Sequence, residues 1–492
     1  MKICVSLAPR DRAELETLPP AARGDLVEVR LDALAAPPEP SEVAGLLALV
    51  NGPVVATCRS EQQGGLWEST ETSRRAILEA AIESSHAIVD IELAASWLPE
   101  VLDRARSRVV VSHHLETRTP GDVDKVVGRL LALRPQCAKL VAAIESPAEA
   151  HELLCAGGQL RAAGIETLVF PMGEWSGAGR LLAGLDDAWI YAAPDAGEPT
   201  ARGQYTRRQL AEDLQCGRWR SDWRRFGLLG DPIDHSLSPA IFNAAFADRD
   251  ADCMYMPVTG SRFETSLQLA SENDFRGMSV TMPFKANALE VAKNATEEAR
   301  LAGAANTLRR SGDGWDAHNT DVAGVRKALG DATEFDGACA AVLGAGGAAR
   351  AAVLALQQAG ADVTVFARDV SRAEVATGDL GCAIRGFSDF RPGASVIVNS
   401  TPVGMLPTDG SPIPTTDLEG DEVVMDMIYR PQWTRLLADA KERGCRTVNG
   451  LEMFLAQAAA QYRWWLDDEA PADVMRDAAM SRLQGEPSGN AR

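Results

Sequence analysis

The sequence is poor in histidine, lacks any paired cysteine motif and contains no long apolar run. Six histidines occur in 492 residues, and the nine cysteines are scattered singly without a Cys-x-x-Cys motif. An odd number of scattered cysteines is typical of reduced thiols and argues against a disulfide framework or a zinc site. No apolar segment approaches the roughly 20 residues of a membrane-spanning helix. The sequence therefore predicts a cytoplasmic protein without a metal.

Positive charge is also scarce, since 69 acidic residues face 49 basic ones and the net charge is −20. Nucleic acids and anionic membranes attract basic surfaces, so this balance argues against both as partners. Small-molecule substrates remain, and if they are anions, local Arg and Lys side chains must overcome the overall field. The N-terminus enters a strand-like run at once, without a secretory or transit segment, which again favours the cytoplasm.

Eight short apolar runs recur in the first 220 residues, separated by helix-like stretches. They are KICVSLA, LVEVRLD, PVVATCR, AIVDIEL, RVVVSHH, AKLVAAI, ETLVFPMG and AWIYAAP. This alternation predicts a (β/α)8 barrel over residues 1–220, with active-site groups at the carboxyl ends of the strands. Charged or titratable residues at or near those ends are Glu28, Arg30, Asp32, Arg59, Glu92, His113, His114 and Lys139.

The two histidines at the end of VVVSHH compete for one role. Neighbouring residues on a strand point to opposite faces, so at most one of His113 and His114 can face a shared site. The alternation alone leaves open which histidine faces inward.

A nucleotide-binding pattern follows later in the chain, in AAVLGAGGAARAAVLAL. A strand, a glycine turn and a helix carry G-x-G-x-x-A at Gly344, Gly346 and Ala349. Such glycines let the backbone approach a pyrophosphate at the helix N-terminus, which predicts a Rossmann domain over residues 329–449. Arg368 lies where an acid would bind the ribose of NAD, so NADP is favoured, although Asp369 beside it argues the other way. The candidate cofactor residues here are Gly344, Ala345, Gly346, Gly347, Ala348 and Arg368.

Seven further motifs surround this pattern in a fixed order. DHSLSP, SVTMPFK, GAANTL and HNTD precede it, and NSTPVGM, DMIYRPQWT and NGLEMFLAQ follow it. Residues 226–466 thereby closely resemble the shikimate dehydrogenase family. The resemblance implies a shikimate-binding domain over 221–328, completed by helices within 450–482. It also implies a catalytic pair of Lys285 and Asp321, substrate contacts from Ser236, Ser238, Thr281, Asn306, Tyr429 and Gln457, and cofactor contacts from Thr401, Met427 and Gly450.

The barrel segment also resembles a family, type I 3-dehydroquinate dehydratase, which is expected to have this fold. The motifs are EVRLD, ATCRSEQQGG, VSHH followed by RTP, AKLVA, PMGEWSGAGR and ARGQ. The resemblance implies that Lys139 forms a Schiff base, that His114 is the acid/base and that Arg180 binds a carboxylate. His113 would then face the surrounding helices. Further substrate contacts are implied for Ser6, Glu28, Arg30, Arg59, Thr200 and Gln204.

The residue types suit the two reactions that these families catalyse. An iminium on Lys139 would act as an electron sink for removal of a poorly acidic proton beside a ketone. The lysine must be uncharged to attack, which burial or the cations Arg30 and Arg59 would favour. Histidine can take up and return that proton near neutral pH. In the second reaction, Lys285 beside Asp321 can protonate the alkoxide that forms as the cofactor delivers hydride.

Several residues depart from the dehydratase pattern. Gln63 stands where that family usually has Glu beside the histidine, which affects the orientation or basicity of His114. Gly179 replaces a usual serine, and Thr200 and Arg202 replace a serine and a proline in the substrate-covering loop. These changes bear on rate and loop closure more than on reaction type.

The sequence as a whole predicts a bifunctional enzyme of the shikimate pathway. The barrel would convert 3-dehydroquinate to 3-dehydroshikimate, and the second unit would reduce this ketone to shikimate with NADPH. One alternative is a quinate/shikimate dehydrogenase with a slow or silent barrel, and another is a metabolite-sensing regulator without catalysis. Residues 483–492 are expected to form a disordered tail.

Overall fold

The computed structural model describes residues 1–17, 24–50, 52–84, 87–196, 198–330, 335–405 and 410–484. Most of the predicted tail, residues 485–492, lies outside the described residues. The chain divides into two compact units, one of residues 1–225 with 252–274 and the other of 226–251 with 275 onward. The predicted boundaries at 220, 328 and 449 stay predictions. Among the described residues, no helix has the length and apolar character needed to cross a membrane.

Unit 1 contains the predicted barrel of eight parallel strands. Their order around the sheet is β7-β6-β5-β4-β3-β2-β1-β8, so consecutive strands are neighbours. Between β7 and β8, the two ends of this order, the Ala188 N–H just before β8 donates to the Thr167 carbonyl in β7 at 2.9 Å. The strands are β1 (Ile3–Leu7), β2 (Leu26–Arg30), β3 (Val54–Thr57), β4 (Ala87–Glu92), β5 (Val109–Leu115), β6 (Cys137–Ala143), β7 (Glu166–Met172) and β8 (Ile190–Ala192).

In the part of the barrel that the structure describes, seven helices accompany these strands, and side-chain caps start several of them. Thr70, for example, accepts from the Ser73 N–H at 3.2 Å, and Ser146 accepts from the Glu149 N–H at 3.3 Å. Such caps satisfy N–H groups that have no partner within the helix. The helices are α1 (Arg12–Glu16), α2 (Pro40–Ala48), α3 (Glu71–Glu83), α4 (Leu98–Ala105), α5 (Asp122–Leu133), α6 (Pro147–Ala162) and α7 (Ser176–Gly184).

The barrel has two apolar layers, and the strand period of two assigns each residue to one of them. One layer, with Val27 and Val111, packs against the helices, and the other, with Leu26 and Val110, fills the barrel interior. Residues two or four positions along from an interior residue also point inward. This register places the side chains of Ser6, Glu28, Arg30, Asp90, Ser112, His114 and Lys139 in the barrel interior.

After the barrel, strands and helices continue to alternate. The segment 252–274 belongs to unit 1, and in unit 2 β13 pairs antiparallel with both β11 and β14. The elements are β9 (Arg224–Gly230), α8 (Ser238–Asp248), β10 (Cys253–Thr259), α9 (Phe263–Glu272), β11 (Phe275–Val280), α10 (Lys285–Glu290), β12 (Asn294–Ala295), α11 (Glu297–Ala302), β13 (Thr307–Ser311), β14 (Gly314–His318) and α12 (Thr320–Leu329).

The last sheet of unit 2 is the predicted Rossmann arrangement. Its strands are parallel, in the order β17-β16-β15-β18-β19-β20, and the direction of winding reverses beside β15. Ligands of such sheets bind at this reversal, beyond the carboxyl ends of the strands. The elements are β15 (Cys339–Leu343), α13 (Gly347–Gln358), β16 (Asp362–Ala367), α14 (Val370–Thr377), β17 (Ala383–Gly386), β18 (Val396–Asn399), β19 (Val423–Asp426), α15 (Arg435–Glu442), β20 (Arg446–Val448), α16 (Gly450–Leu466) and α17 (Ala472–Gln484).

Candidate active sites

Lys139 is buried in the barrel interior among acidic and aromatic groups. Its Nζ lies 2.9 Å from Asp90 Oδ2 and 3.5 Å from Glu28 Oε1. The same nitrogen lies 3.5 Å from the Tyr191 hydroxyl and 4.5 Å from the centre of that ring. The nearest charges are therefore carboxylates, whereas the sequence argument looked to arginines as the neighbours of this lysine.

The guanidinium of Arg30 forms an ion pair with Asp32. Its Nε and Nη2 donate to the two carboxylate oxygens of Asp32 at 2.9 and 2.6 Å, and both residues are buried. This parallel pair fixes the plane of the guanidinium. Asp32 also accepts from the Leu66 N–H at 3.0 Å, which ties the loop after β3 to the same corner of the barrel.

Glu28 is the centre of a polar network that reaches the loop after β8. Burial would raise its pKa, but the positive charges of Lys139, Arg59 and Arg30 prevail, helped by a hydrogen bond from Ser6, and lower the pKa to about 2. The Thr57 hydroxyl donates to Glu28 at 2.9 Å. The Thr200 hydroxyl donates to Ser6 at 2.8 Å, and Gln204 Nε2 donates to Thr200 at 3.1 Å.

Arg180 is a buried cation with few polar contacts. It lies in α7, its Nη2 is 3.0 Å from Met172 Sδ, and its guanidinium lies 5.1 Å from the centre of the Phe170 ring. Its Nε is buried and has no hydrogen-bond partner among the described residues. Burial lowers the pKa of Arg180 to about 10, although the Glu28 carboxylate opposes this. A buried charge without a partner is costly, so the site favours an anionic ligand.

The inward register of β5 distinguishes the two histidines. His114 lines the cavity of the barrel, whereas His113 lies on the layer that faces the helices, near the charge of Arg129 in α5. Burial, followed by the charges of Arg59, Lys139 and Arg30, lowers the pKa of His114 well below its ordinary value. The imidazole is thus neutral and able to accept a proton.

One cavity of about 370 Å³ unites most of the predicted dehydratase residues. Its lining includes Arg30, Arg59, His114, Lys139, Arg180 and Thr200. Ser6, Glu28 and Gln204 are outside that lining but are hydrogen-bonded to residues within it. The arrangement places a cationic anion-binding end, an amine and a neutral imidazole around one small volume.

Three titratable residues of this site were not predicted from the sequence. Asp90 and Tyr191 contact the Lys139 amine, and Glu116 lines the cavity. A signal for Asp90 was present, because an acid within the apolar run AIVDIEL must be paired or functional when buried. Glu92, two residues later, pairs with Arg74 at 3.2 Å and accepts from the Ser60 hydroxyl at 2.8 Å.

Unit 2 brings together the predicted lysine and aspartate of the dehydrogenase motifs. Lys285 Nζ, at the start of α10, lies 2.5 Å from Asp321 Oδ2, in the first turn of α12. Asn306 Nδ2 donates to the other oxygen of Asp321 at 2.8 Å and to Gln457 Oε1 at 3.3 Å. A Cβ at Gly324 would lie 2.9 Å from the Gln457 Cβ, so this glycine lets α12 and α16 approach closely.

The other predicted substrate residues of unit 2 have mainly local contacts. The Ser236 hydroxyl accepts from the Ser238 N–H at 3.2 Å, and the Thr281 carbonyl accepts from Phe284 N–H at 2.9 Å in the turn before Lys285. The Tyr429 ring lies 5.0 Å from the Phe454 ring, and burial raises its pKa. The roles of these residues stay predictions.

A second cavity, of about 660 Å³, lies at the winding reversal of the Rossmann sheet. Five of the predicted cofactor residues line it: Gly344, Ala345, Gly346, Arg368 and Thr401. Gly344 has φ of +107°, and a Cβ there would lie 2.8 Å from Ser400 Oγ, so the turn requires glycine. Apart from the chain neighbours and the backbone of the same helix, no atom of the described residues lies within 4 Å of the Cβ position of Gly346 or Gly347, which leaves an open cradle before α13. These features fit a dinucleotide.

Charged side chains line this cavity, and Asp369 is one of them. Its carboxylate accepts from the Arg372 N–H at 3.0 Å and thereby caps α14. Arg368 and Arg372, the second of which the sequence argument missed, both line the cavity. Gly347 and Ala348 form the first turn of α13 outside the lining. Met427 and Gly450 are also outside it and lie against each other, since a Cβ at Gly450 would be 2.4 Å from the Met427 carbonyl oxygen.

Fold and sites together define a barrel with a buried amine, joined to a nicotinamide-dependent oxidoreductase. Residues 3–217 match the family model of type I 3-dehydroquinase. Residues 228–308 match the substrate-binding domain of shikimate dehydrogenase, and 450–480 match the C-terminal domain of shikimate 5'-dehydrogenase. The chain belongs to the shikimate dehydrogenase family and carries a type I 3-dehydroquinase domain in the same polypeptide.

Individual relatives agree with this assignment. The chain is 29% identical over 478 residues to a bifunctional chloroplastic 3-dehydroquinate dehydratase/shikimate dehydrogenase of Arabidopsis thaliana, covering 92% of this chain and 79% of that one. It is 38% identical over 277 residues to an NADP-type shikimate dehydrogenase of Methanopyrus kandleri, covering 52% of this chain and 95% of that one. A crystal structure of a shikimate dehydrogenase with NADP+ matches with a TM-score of 0.51 at 29% identity, covering 54% of this chain and 97% of that one. The chain is therefore a bifunctional enzyme of the shikimate pathway, a lyase and an oxidoreductase.

Proposed function

We propose that the barrel dehydrates 3-dehydroquinate through a Schiff base on Lys139. The observation that carries this is a buried amine that shares one 370 Å³ cavity with a neutral imidazole and with Arg180, whose buried Nε has no hydrogen-bond partner among the described residues. Arg180 would bind the substrate carboxylate and thereby set the ketone carbon beside Nζ. Ser6, Glu28, Arg30, Arg59, Thr200 and Gln204 would bind the remaining polar groups of the substrate.

Two residues, Lys139 and His114, carry out the proton transfers of this reaction. Lys139 first passes one ammonium proton to His114, and the free amine adds to the ketone. The imidazolium returns that proton to the hydroxyl of the adduct, which leaves as water and gives an iminium. His114 removes a proton from the adjacent carbon, and the electron pair is held by the iminium. The same imidazolium then protonates the departing hydroxyl, which leaves as a second water. Hydrolysis of the conjugated imine returns 3-dehydroshikimate and the free lysine.

In unit 2 we propose that Lys285 and Asp321 serve the reduction of 3-dehydroshikimate to shikimate. The 2.5 Å contact holds the ammonium in place, and Asn306 fixes the other oxygen of Asp321. A nicotinamide cofactor would supply the hydride when bound. Lys285 donates the proton to the ketone oxygen as negative charge develops there. Ser236, Ser238, Thr281, Asn306, Tyr429 and Gln457 would bind the carboxylate and hydroxyl groups.

NADP(H) is the proposed cofactor of this unit. Arg368 and Arg372 are available to a 2'-phosphate, and they outnumber Asp369, which lines the same cavity and caps α14 with one oxygen. The relative from Methanopyrus kandleri is an NADP(+) shikimate dehydrogenase. Replacing both arginines with alanine should raise the KM for NADPH at least about tenfold and leave that for NADH nearly unchanged. An equal change for both cofactors would contradict the proposal.

Two matched variants test which unit catalyses which reaction. Lys139→Met should abolish 3-dehydroquinate dehydration and spare shikimate oxidation, and Lys285→Met should do the reverse. Each variant is the folding control for the other. Loss of both activities in one well-folded variant, or retention of the targeted activity, would contradict the proposed assignment.

A further inference from the structure

The resemblance to type I 3-dehydroquinate dehydratase implies a carboxylate beside the proposed base His114, and this chain has none at that position. Gln63 stands there, and its Oε1 accepts from the backbone N–H of His114 at 2.7 Å rather than from the ring. The ring Nδ1 is buried and has no hydrogen-bond partner among the described residues. An imidazole that becomes charged during turnover needs a group that orients it and stabilises its cation.

A carboxylate lies at the same corner of the cavity on a different residue. Glu116 follows His114 by two positions at the end of β5, and both residues line the cavity. Its Oε1 would lie 2.2 Å from a Cβ built on Gly64, the residue next to Gln63. Gly64 has φ of +72° and lines the cavity as well. A glycine at 64 therefore leaves room for the Glu116 carboxylate beside the segment that holds His114.

The electrostatic surroundings explain why an acid is needed there. The charged or titratable groups that lower the pKa of His114, besides burial, are Arg59, Lys139, Arg30 and His113. The buried acid Glu28 faces Lys139 and accepts from Ser6 and Thr57. Glu116 is exposed and makes no hydrogen bond or ion pair with the described residues. A carboxylate there offsets part of the positive field when the imidazole is protonated.

We propose that Glu116 is a positioning residue for the dehydratase reaction, orienting the His114 ring and stabilising its protonated form in place of an acid at residue 63. The proposal rests on the proposed role of His114 as the acid/base. In this proposal the uncharged Gln63 binds the backbone of β5. The carboxylate that acts on His114 belongs to residue 116 instead of residue 63.

The test is a pH profile of dehydratase kcat/KM in the full-length chain. Glu116→Gln keeps the shape and removes the charge, so it should lower kcat at least about tenfold and move the acidic limb of the profile to lower pH. Adding Gln63→Glu to this variant should restore both the rate and the limb. Shikimate oxidation by the same samples should not change, which controls for folding.

The outcomes separate this proposal from the proposed function. A Glu116→Gln variant with the unaltered rate and pH profile, beside an inactive His114→Gln variant, would overturn the role of Glu116 alone. A lowered rate that Gln63→Glu fails to restore would also overturn it. A His114→Gln variant with full dehydratase activity would instead overturn the proposed role of His114.

Discussion

The Nζ of Lys139 and Oδ2 of Asp90 lie 2.9 Å apart inside the barrel, and both side chains are almost completely buried. Attraction between opposite charges is strong where water is excluded, but the cost of desolvating them is also high. The pair therefore holds the amine at a fixed point of the cavity without providing a large surplus of stability. Removing one partner leaves the other buried and uncompensated.

Asp90→Asn is expected to destabilise unit 1 for this reason. The free energy of unfolding should fall by about 3 kcal/mol, as is typical when one partner of a buried ion pair is removed. Denaturant unfolding measures this value. Asp103→Asn, at an exposed position of α4, is the matched control. A loss no larger than that of the control would show that Glu28 alone can balance the lysine.

The dehydratase should remain active at more acidic pH than an ordinary histidine would allow. Burial and the neighbouring cations lower the pKa of His114, so its ring stays neutral as the pH falls through 6.5. Activity is lost only when the ring is protonated, so the acidic limb of dehydratase kcat/KM should lie below pH 6.5. A limb at or above pH 6.5 would contradict the arrangement around His114.

Arg180→Met should separate stability from activity. The guanidinium is buried beside Phe170 and Met172 with an unpartnered Nε, so an apolar side chain suits the folded state at least as well. The free energy of unfolding should stay equal or rise by about 1 kcal/mol. The KM for 3-dehydroquinate should rise about a hundredfold through loss of a charged contact.

Arg220→Met, at an exposed arginine of unit 1, is the control and should change neither quantity. A strong loss of stability in Arg180→Met, with an unchanged KM, would mean that the arginine is structural.

The packing around Gly179 explains why this chain has glycine where the dehydratase pattern usually has serine. A Cβ at this position of α7 would lie 2.2 Å from Pro171 Cγ in β7. Gly179→Ala should therefore destabilise the chain by about 1–3 kcal/mol and raise the KM, because Arg180 follows directly. Pro171→Ala should relieve the added strain. Gly158→Ala in α6, with no atom within 4 Å of its Cβ position, should not destabilise.

The sequence predicted the barrel and the Rossmann sheet, and it named six residues that line the barrel cavity, because strand–helix alternation and the motifs are local features. The orientation of the two histidines was not readable, since β5 is apolar on both faces and its pattern carries no sign of the inward side. The family resemblance chose His114, and the layer that contains Val110 gives the physical reason.

Contacts between distant strands were harder to foresee. Asp90 and Lys139 are 49 positions apart and meet only through strand register. Arg30 was expected near the lysine as a cation, but Asp32, two residues along, takes up its guanidinium. Pairings of this kind depend on rotamers that a sequence pattern does not specify.

The most direct test of the account is borohydride trapping with 3-dehydroquinate, followed by mass mapping of the modified peptide. Reduction of the imine should fix one substrate-derived group on Lys139, and Lys139→Met should abolish the label. A label on another lysine, or no label in a chain that still dehydrates 3-dehydroquinate, would contradict the Schiff-base assignment.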